Sequence, residues 1–252
     1  MIGTDHAGKE YPLVLQDFHE WRKPATYLEI GTLEGNTLQL ATCASIAIDP
    51  DFQIREAARI CNKPECHLFR QTSDDFFASR DPLAILGAPI DMAFLDGMHH
   101  CEFLLRDFMN TEKYCTSNSI ILLHDCLPVE VGMAVRDPMK AQVSAPHHAG
   151  WWTGDVWRTA LALKRLRPEL QISAFDAPGT GLIAVTNLDP GSITLARGYD
   201  AIVGWMMTWS LDLDQLFAEL GVESTDTIAT AEKMLRRFPT NQPPGSEHEN
   251  AT

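Results

Sequence analysis

Two short segments of the chain combine carboxylates with imidazoles. The first, FLDGMHH, contains Asp96 and His99, and the second, ILLHDC, contains His124 and Asp125. Each lies at the end of an apolar run that predicts a buried strand, so these side chains would sit at two strand ends. Carboxylate oxygens with one or two imidazole nitrogens suit Mg²⁺ or Mn²⁺ and leave positions open for the hydroxyls of a substrate. A metal-bound hydroxyl ionises more readily, and a nearby neutral histidine could take its proton.

A further candidate site lies where the first predicted strand ends. Glu29, Gly31 and Gly35 form the pattern E-x-G-x-x-x-G, in which the glycines would let the backbone approach a ligand closely. Asp49 follows twenty residues after Glu29, and a carboxylate there could bind both hydroxyls of an adenosine ribose, as NAD or S-adenosylmethionine would require. The dinucleotide fingerprint G-x-G-x-x-G is missing, and an acid beside the turn repels a pyrophosphate but suits a cationic cofactor. A tight turn without a ligand is the alternative.

Alternating elements would bring these residues together. Apolar runs predict strands over 26–31, 45–51, 67–73, 89–97, 119–125, 171–177 and 179–187. Helical spacing predicts an amphipathic helix over 10–22, with Tyr11, Leu15, Phe18 and Trp21 on its apolar face. It predicts further helices over 35–44, 52–63, 100–114 and 155–170, and others after 190. The order predicts an α/β fold, a Rossmann-like, doubly wound, mostly parallel seven-stranded sheet with helices on both faces, and ligands at the carboxyl ends of its strands. We expect a single domain over residues 1–238 and a disordered tail over 239–252.

The first two strand ends resemble a known family. LEIGTLEGNT followed by AIDPD resembles motif I and the acidic second-strand motif of class I S-adenosylmethionine-dependent methyltransferases, over roughly residues 25–187. The resemblance implies that the methionine part of the cofactor contacts Glu29, Gly31 and Gly35 and that Asp49 holds the ribose.

The third and fourth strand ends extend the cofactor assignment. The same resemblance implies that Ser73 and Asp74 lie near the adenine, although TSDD could equally be a helix cap. Asp96 is also counted as a cofactor-binding candidate.

The later strand ends resemble one branch of that family. The D-G-x-H of strand four with the H-D of strand five is similar to metal-dependent O-methyltransferases that act on sugars of macrolide antibiotics and on other glycans. That resemblance implies Asp96 and Asp125 as metal ligands and His99 as the general base. The branch commonly has an acid where His124 stands, and His124 is taken as the third metal ligand. The alternatives are that Asp96 caps the next helix and that His124 and Asp125 only bind the following loop.

A long stretch over 126–157 follows the fifth strand. Its tryptophans, Trp151, Trp152 and Trp157, argue against disorder and favour either a lid over the site or a packed loop. His147 and His148 are candidate substrate contacts. Asp155 is expected to cap the helix that follows.

Composition excludes several classes of function. Lys and Arg total 20 against 34 acids, a formal charge of −14, which disfavours nucleic acid and anionic membranes as partners. No export signal or membrane span is visible, so the six cysteines are interpreted as reduced thiols of a cytoplasmic protein. Aromatic and methionine residues over 205–209 fit a core or a self-association face, which would make the chain a homo-oligomer.

These observations predict an enzyme that moves a methyl group from S-adenosylmethionine to a hydroxyl of a small molecule. The expected acceptor is a sugar or a glycosylated natural product, and Mg²⁺ or another divalent cation is the expected second cofactor. The alternatives are an NAD-linked oxidoreductase on a similar sheet, a binding module that kept the cofactor pocket without catalysis, and a methyltransferase that needs no metal.

Overall fold

The computed structural model describes residues 5–240 and contains one seven-stranded sheet. The strands follow the order β3-β2-β1-β4-β5-β7-β6. Their bounds are β1 Thr26–Ile30, β2 Ala44–Ile48, β3 Cys66–Phe69, β4 Ile90–Leu95, β5 Cys115–His124, β6 Gln171–Phe175 and β7 Leu182–Thr186. Neighbours among the first five strands run parallel, and β7 pairs antiparallel with both β5 and β6. The prediction of a mostly parallel seven-stranded sheet is confirmed. The predicted tail lies outside the described residues except for its first two positions.

Helices cover both faces of the sheet, as predicted. They are α1 Tyr11–Asp17, α2 Ser73–Ser79, α3 Pro82–Leu86, α4 Cys101–Glu112, α5 Pro138–Ser144, α6 Trp157–Leu166, α7 Thr194–Arg197, α8 Tyr199–Met206, α9 Leu213–Leu220 and α10 Ala231–Arg237. Successive strand residues point to opposite faces. Leu28 of β1 therefore joins a core with α4, α6 and α9, whereas Tyr27 joins a second core with α1 and α10. None of the helices in the described part of the chain is long and apolar enough to span a bilayer.

Two predicted helices are wrong. The segments 35–44 and 52–63 contain only short 3₁₀ turns, at Leu38–Leu40 and Ala57–Arg59. The first segment is rich in Thr and Asn, which favour turns over helix interiors. The second is drawn toward the turn after β1, because its Gln53 amide donates to the Leu33 carbonyl at 2.8 Å. Tertiary contacts therefore override the helical spacing on this face.

The stretch over 126–157 is more ordered than the sequence suggested. It contains α5 and two 3₁₀ turns, Val131–Ala134 and Pro146–His148. Asp155 does not cap α6 as expected, because its Oδ1 accepts the Cys101 amide at the start of α4 at 2.9 Å. Its own amide donates to the His99 carbonyl at 3.2 Å, which ties this stretch to the end of β4.

Candidate active site

The turn after β1 requires glycine. Gly31 has φ +87°, and a Cβ at this position would overlap the carbonyl oxygen of Asp96. Its amide donates to the Ile48 carbonyl at 2.9 Å. Gly35 also has a positive φ, +75°, and a Cβ there would lie 3.3 Å from Ile54. The turn therefore brings the ends of β1, β2 and β4 into direct contact.

Glu29 lies beneath this turn and is fully buried. The Tyr27 hydroxyl donates to its Oε2 at 2.7 Å, while Oε1 makes no hydrogen bond of normal geometry within residues 5–240. Burial raises the pKa of Glu29 to about 7, against the opposing effect of the hydroxyls of Tyr27, Thr32 and Thr37. A buried acid with free bonding capacity fits a ligand that brings a positive charge or a donor.

Asp49 fixes the loop after β1. Its Oδ2 accepts the Leu33 amide and its Oδ1 accepts the Asp51 amide, both at 2.7 Å. Leu33 has φ +44°, so this bond holds a backbone conformation that most residues resist. Each carboxylate oxygen keeps further acceptor capacity, so a ribose hydroxyl could still bind.

Ser73 and Asp74 form the first turn of α2. Thr72 caps this helix by accepting the Asp75 amide at 3.1 Å, which agrees with the cap alternative for TSDD. Arg106 binds both oxygens of Asp74, at 2.8 and 2.7 Å. The charge of Asp74 is therefore already compensated, and contact of these two residues with adenine stays a prediction.

The two carboxylate and histidine segments meet at the ends of β4 and β5. One ligand atom from each of Asp96, His124 and Asp125 lies within 4.8 Å of the others. His124 Nδ1 is 3.2 Å from Asp96 Oδ1 and 3.4 Å from Asp125 Oδ2. His99 Nε2 is 3.0 Å from Asp125 Oδ2 and 3.5 Å from Asp96 Oδ1. We call these four residues the Asp–His cluster.

The parallel register of the strands builds the cluster. Leu95 of β4 lies opposite Leu123 of β5, so the residues that follow them reach the same edge. Asp125 has φ +59°, an uncommon value for a residue other than glycine. The Thr180 hydroxyl donates to Asp125 Oδ1 and holds that carboxylate in place. Backbone strain of this kind clusters at functional sites.

His99 has a fixed orientation. Its Nδ1 donates to the Trp152 carbonyl at 2.8 Å, and the two rings stack with their centroids 4.8 Å apart. Nε2 therefore faces the two carboxylates. Burial by itself would lower the pKa of His99, but Asp125 and Asp96 raise it to about 9.

His124 faces the same two carboxylates through its Nδ1. Although burial opposes it, Asp125 and Asp96 raise the pKa of His124 to about 10. His99 and His124 in turn hold the pKa of Asp96 well below its usual range. The Nε2 of His124 is buried and has no partner among the described residues.

The donor set of the cluster fits a divalent cation. Two carboxylates and an imidazole nitrogen converge within 4.8 Å, and oxygen ligands with one nitrogen suit Mg²⁺ or Mn²⁺. Asp96, His124 and Asp125 are the residues that would hold it.

Three neighbours of the cluster were not assigned to it from the sequence. Trp152 orients His99, and Thr180 holds Asp125. Tyr11 was assigned to the apolar face of α1, yet its ring lies 4.0 Å from the His124 ring. None of the three carries a local signal, because each meets the cluster only through the tertiary fold.

The fold and the turn after β1 define the class of protein. A seven-stranded sheet with an antiparallel seventh strand, a glycine turn after β1 and an acid after β2 characterise the class I methyltransferase fold. Residues 28–126 match the family model described as a methyltransferase domain, which agrees with the resemblance inferred from the sequence and confirms it.

Solved structures agree at the level of the fold. Cofactor-bound Rv0187 from MTB is 16% identical, with a TM-score of 0.52 over 70% of this chain and 78% of that one. An O-methyltransferase from Bacillus cereus in complex with S-adenosylhomocysteine (SAH) is 15% identical, with a TM-score of 0.51 over 73% of this chain and 84% of that one. No curated protein matches the sequence.

Proposed function

We propose that this chain transfers the methyl group of S-adenosylmethionine to a hydroxyl of a small molecule. The observation that carries the proposal is the contact between the two sites. Gly31 of the glycine turn packs on the backbone of Asp96, and the Asp96 side chain belongs to the Asp–His cluster. A cofactor on the turn would therefore lie beside the groups that could prepare an acceptor.

The charges at the turn support S-adenosylmethionine over NAD. That cofactor carries an ammonium and a sulfonium, which suit the buried Glu29 and the nearby Asp96. An NAD pyrophosphate would need a turn that is rich in backbone donors and free of acids. The Bacillus cereus protein of similar fold binds SAH, which agrees with this choice.

A divalent cation at Asp96, His124 and Asp125 would supply positive charge that lowers the pKa of an acceptor hydroxyl. A requirement of turnover for this cation is part of the proposal.

His99 is the proposed general base. Nδ1 keeps its hydrogen on the Trp152 carbonyl, so Nε2 is the atom that would take the proton of the acceptor hydroxyl. Asp125 and Asp96 favour a proton on Nε2, and a cation bound to these two carboxylates would oppose that effect and leave Nε2 able to act as a base. The neighbouring carboxylates stabilise the imidazolium that results. Much of the rate would come from positioning, since the sulfonium is already an activated methyl donor.

The acceptor, the cellular location and the oligomeric state are also part of the proposal. A hydroxylated small molecule, such as a sugar, is the proposed acceptor, and the charge of −14 supports the exclusion of nucleic acid. The cysteines are unpaired, which agrees with a cytoplasmic location. Trp205 and Met207 are 40% and 39% exposed and could support a homo-oligomer.

Calorimetric titration tests the proposal. The purified protein is titrated with SAH and with NAD, each in Mg²⁺ and in EDTA. We expect micromolar binding of SAH and none of NAD. Binding of NAD instead, or of neither, would overturn the interpretation of the turn. Equal SAH binding and equal turnover in Mg²⁺ and EDTA would show that the enzyme is a methyltransferase that needs no metal.

A further inference from the structure

A cavity of about 280 Å³ lies at the same edge of the sheet, beyond β5. Four segments enclose it: the N-terminal residues before α1, the stretch after β5, the 3₁₀ turn Pro146–His148 with the residues that follow, and the turn between β6 and β7. Small-molecule sites usually measure roughly 300–1,000 Å³, so this volume suits one small ring rather than an extended chain.

Three of these segments also reach the Asp–His cluster. Gly179 lines the cavity, and the next residue, Thr180, donates to Asp125. Trp151 lines it, and the next residue, Trp152, orients His99.

The third segment is the N-terminal one. The Tyr11 amide donates to the carbonyl of Pro178, which lines the cavity, at 3.1 Å, and the Tyr11 ring packs on His124. The walls of the cavity are therefore continuous with the residues that contact the Asp–His cluster.

The polar and aromatic part of the lining consists of Asp5, His6, His148 and Trp151. The Trp151 side chain is 43% exposed, and its ring centroid lies 5.4 Å from that of His148. His148 lies between two carboxylates, with Nδ1 3.1 Å from Glu130 Oε2 and Nε2 3.1 Å from Asp5 Oδ1. Of the described residues that line the cavity, none is a lysine or an arginine.

This lining discriminates between acceptor charges. An indole face binds the apolar face of a sugar or of another ring, and carboxylates accept hydrogen bonds from hydroxyls or amines. A phosphate, sulfate or carboxylate on the acceptor would meet Asp5 on the lining and lie near Glu130, which binds His148, and the lining has no lysine or arginine to compensate its charge. Such an acceptor would be repelled.

We propose that this cavity is the acceptor subsite and that it takes a hydroxylated ring without negative charge, either an uncharged or an amine-bearing sugar ring. The proposal rests on the proposed function, because it assigns the acceptor of that same reaction. Trp151 is its stacking residue, and the carboxylates beside His148 set its charge selectivity.

Ligand-observed saturation-transfer NMR on the SAH-loaded protein tests the assignment. The probes are methyl β-D-glucopyranoside, its 2-amino-2-deoxy analogue and methyl β-D-glucuronide. We expect the first two to receive saturation and the glucuronide to receive none. Trp151→Ala should weaken binding of the neutral probe by about tenfold, which corresponds to about 1.4 kcal/mol, because it removes the indole face on which the ring would stack. The matched control is Trp205→Ala, which removes a tryptophan of similar exposure, 40%, from α8 and should change nothing.

A charge variant gives an independent readout. Asp5→Asn removes a carboxylate whose side chain is 75% exposed, so the fold should tolerate it, and we expect the glucuronide response to rise. Equal responses from the glucuronide and the neutral probe, an unchanged response in Trp151→Ala, or no response from any probe would each overturn the subsite. The titration with SAH distinguishes failure of the proposed function from failure of the acceptor subsite. Loss of SAH binding removes the proposed function, whereas SAH binding without probe binding removes only the acceptor subsite.

Discussion

At the scale of single residues, the Asp–His cluster balances its own charges. Two carboxylates face two imidazoles at 3.0–3.5 Å, and each pair supports the charged form of the other. His99 differs from His124 because its second nitrogen is fixed by the Trp152 carbonyl, while that of His124 has no hydrogen-bond partner within residues 5–240. A histidine with one nitrogen anchored and the other aimed at the reacting region has the geometry of a general base.

Replacing His99 should separate chemistry from binding. In His99→Ala we expect unchanged SAH affinity, because His99 lies at the cluster rather than at the glycine turn, and a turnover reduced by about 10²–10⁴-fold, as for loss of a general base. Calorimetry and product mass spectrometry measure the two quantities. The control is His67→Ala, at a histidine that is 38% exposed on β3. Full activity of His99→Ala on the true acceptor would contradict its assignment.

Replacing Asp49 should have the opposite pattern. Asp49→Ala removes the carboxylate that holds the Leu33 amide, so the loop after β1 loses its conformation. A hydrogen bond to a charged group contributes about 1.5–3 kcal/mol, which predicts SAH binding at least about tenfold weaker. The comparison is Asp51→Ala, whose carboxylate is 68% exposed, and equal SAH affinity in both variants would refute the role of Asp49.

At the scale of elements, α4 connects the two halves of the site. Its first amide is capped by Asp155 from the stretch after β5, and Arg136 of that stretch binds Glu102 and the same Asp155 at 2.9 Å. One turn further along, Asp107 faces Gly97 and the start of α2. The helix α4 therefore contacts both the stretch over 126–157 and the proposed cofactor side of the sheet.

Asp107 predicts a pH dependence of stability. Burial raises the pKa of Asp107 to about 7, whereas a carboxyl in the unfolded chain ionises near about 4. Between these values the folded state retains a proton that the unfolded state has released, so the stabilisation is complete below pH 4 and is lost as the pH rises to 7. Asp107→Asn should make this slope shallower, while the part that comes from the buried Glu29 remains, and should raise the free energy of unfolding by roughly 1–2 kcal/mol above pH 7.

Urea unfolding of both proteins between pH 4 and 8 checks this expectation. Asp200→Asn, at an exposed position on α8, controls for loss of a carboxylate. If Asp107→Asn keeps the pH slope of the wild type, the buried carboxyl is not its source.

At the scale of the whole molecule, the edge of the sheet presents three regions in spatial order. The glycine turn lies at β1 and β2, the Asp–His cluster at β4 and β5, and the acceptor cavity at β5 and β7. The parallel strands supply the first two, and the antiparallel β7 supplies the third, because its N-terminal end reaches the same edge as the end of β5. The reversal of β7 thus lets the turn before it take part in the site.

Buried ion pairs should matter most for global stability. Arg167 binds both oxygens of Glu112 at 2.9 Å, and both side chains are almost fully buried. Arg167→Met would leave the Glu112 carboxylate buried without its partner and should lower the free energy of unfolding by about 3–5 kcal/mol. The matched variant Arg165→Met breaks a partly exposed pair with Glu219 and should cost less than about 1 kcal/mol. Similar losses in the two variants, measured by urea unfolding, would contradict this ranking.

The sheet and the chemical groups at its edge could be predicted from the residue pattern alone. The run SIILL is apolar on both faces because its strand is covered on both sides, and TYLEIG is a short, mainly apolar run that ends at a glycine, so both strands could be recognised without a structure. Recognising the strands also locates the residues at their ends, which include Glu29, Asp49, Asp96 and Asp125. The segments 35–44 and 52–63 were misassigned because contacts between distant residues, such as Gln53 with Leu33, outweigh local helical spacing.

The contacts of those residues depend on tertiary packing and could not be predicted from the sequence. Thr180 reaches Asp125 across 55 positions and Trp152 reaches His99 across 53, and neither pair has a spacing that local periodicity could reveal. Tyr11 had the pattern of a core residue, and only the path of the N-terminal segment places its ring on His124. Local residue patterns fix strands and strand ends, because backbone geometry is periodic. The partners of a side chain depend on how distant segments pack, and that is settled only when the whole chain has folded.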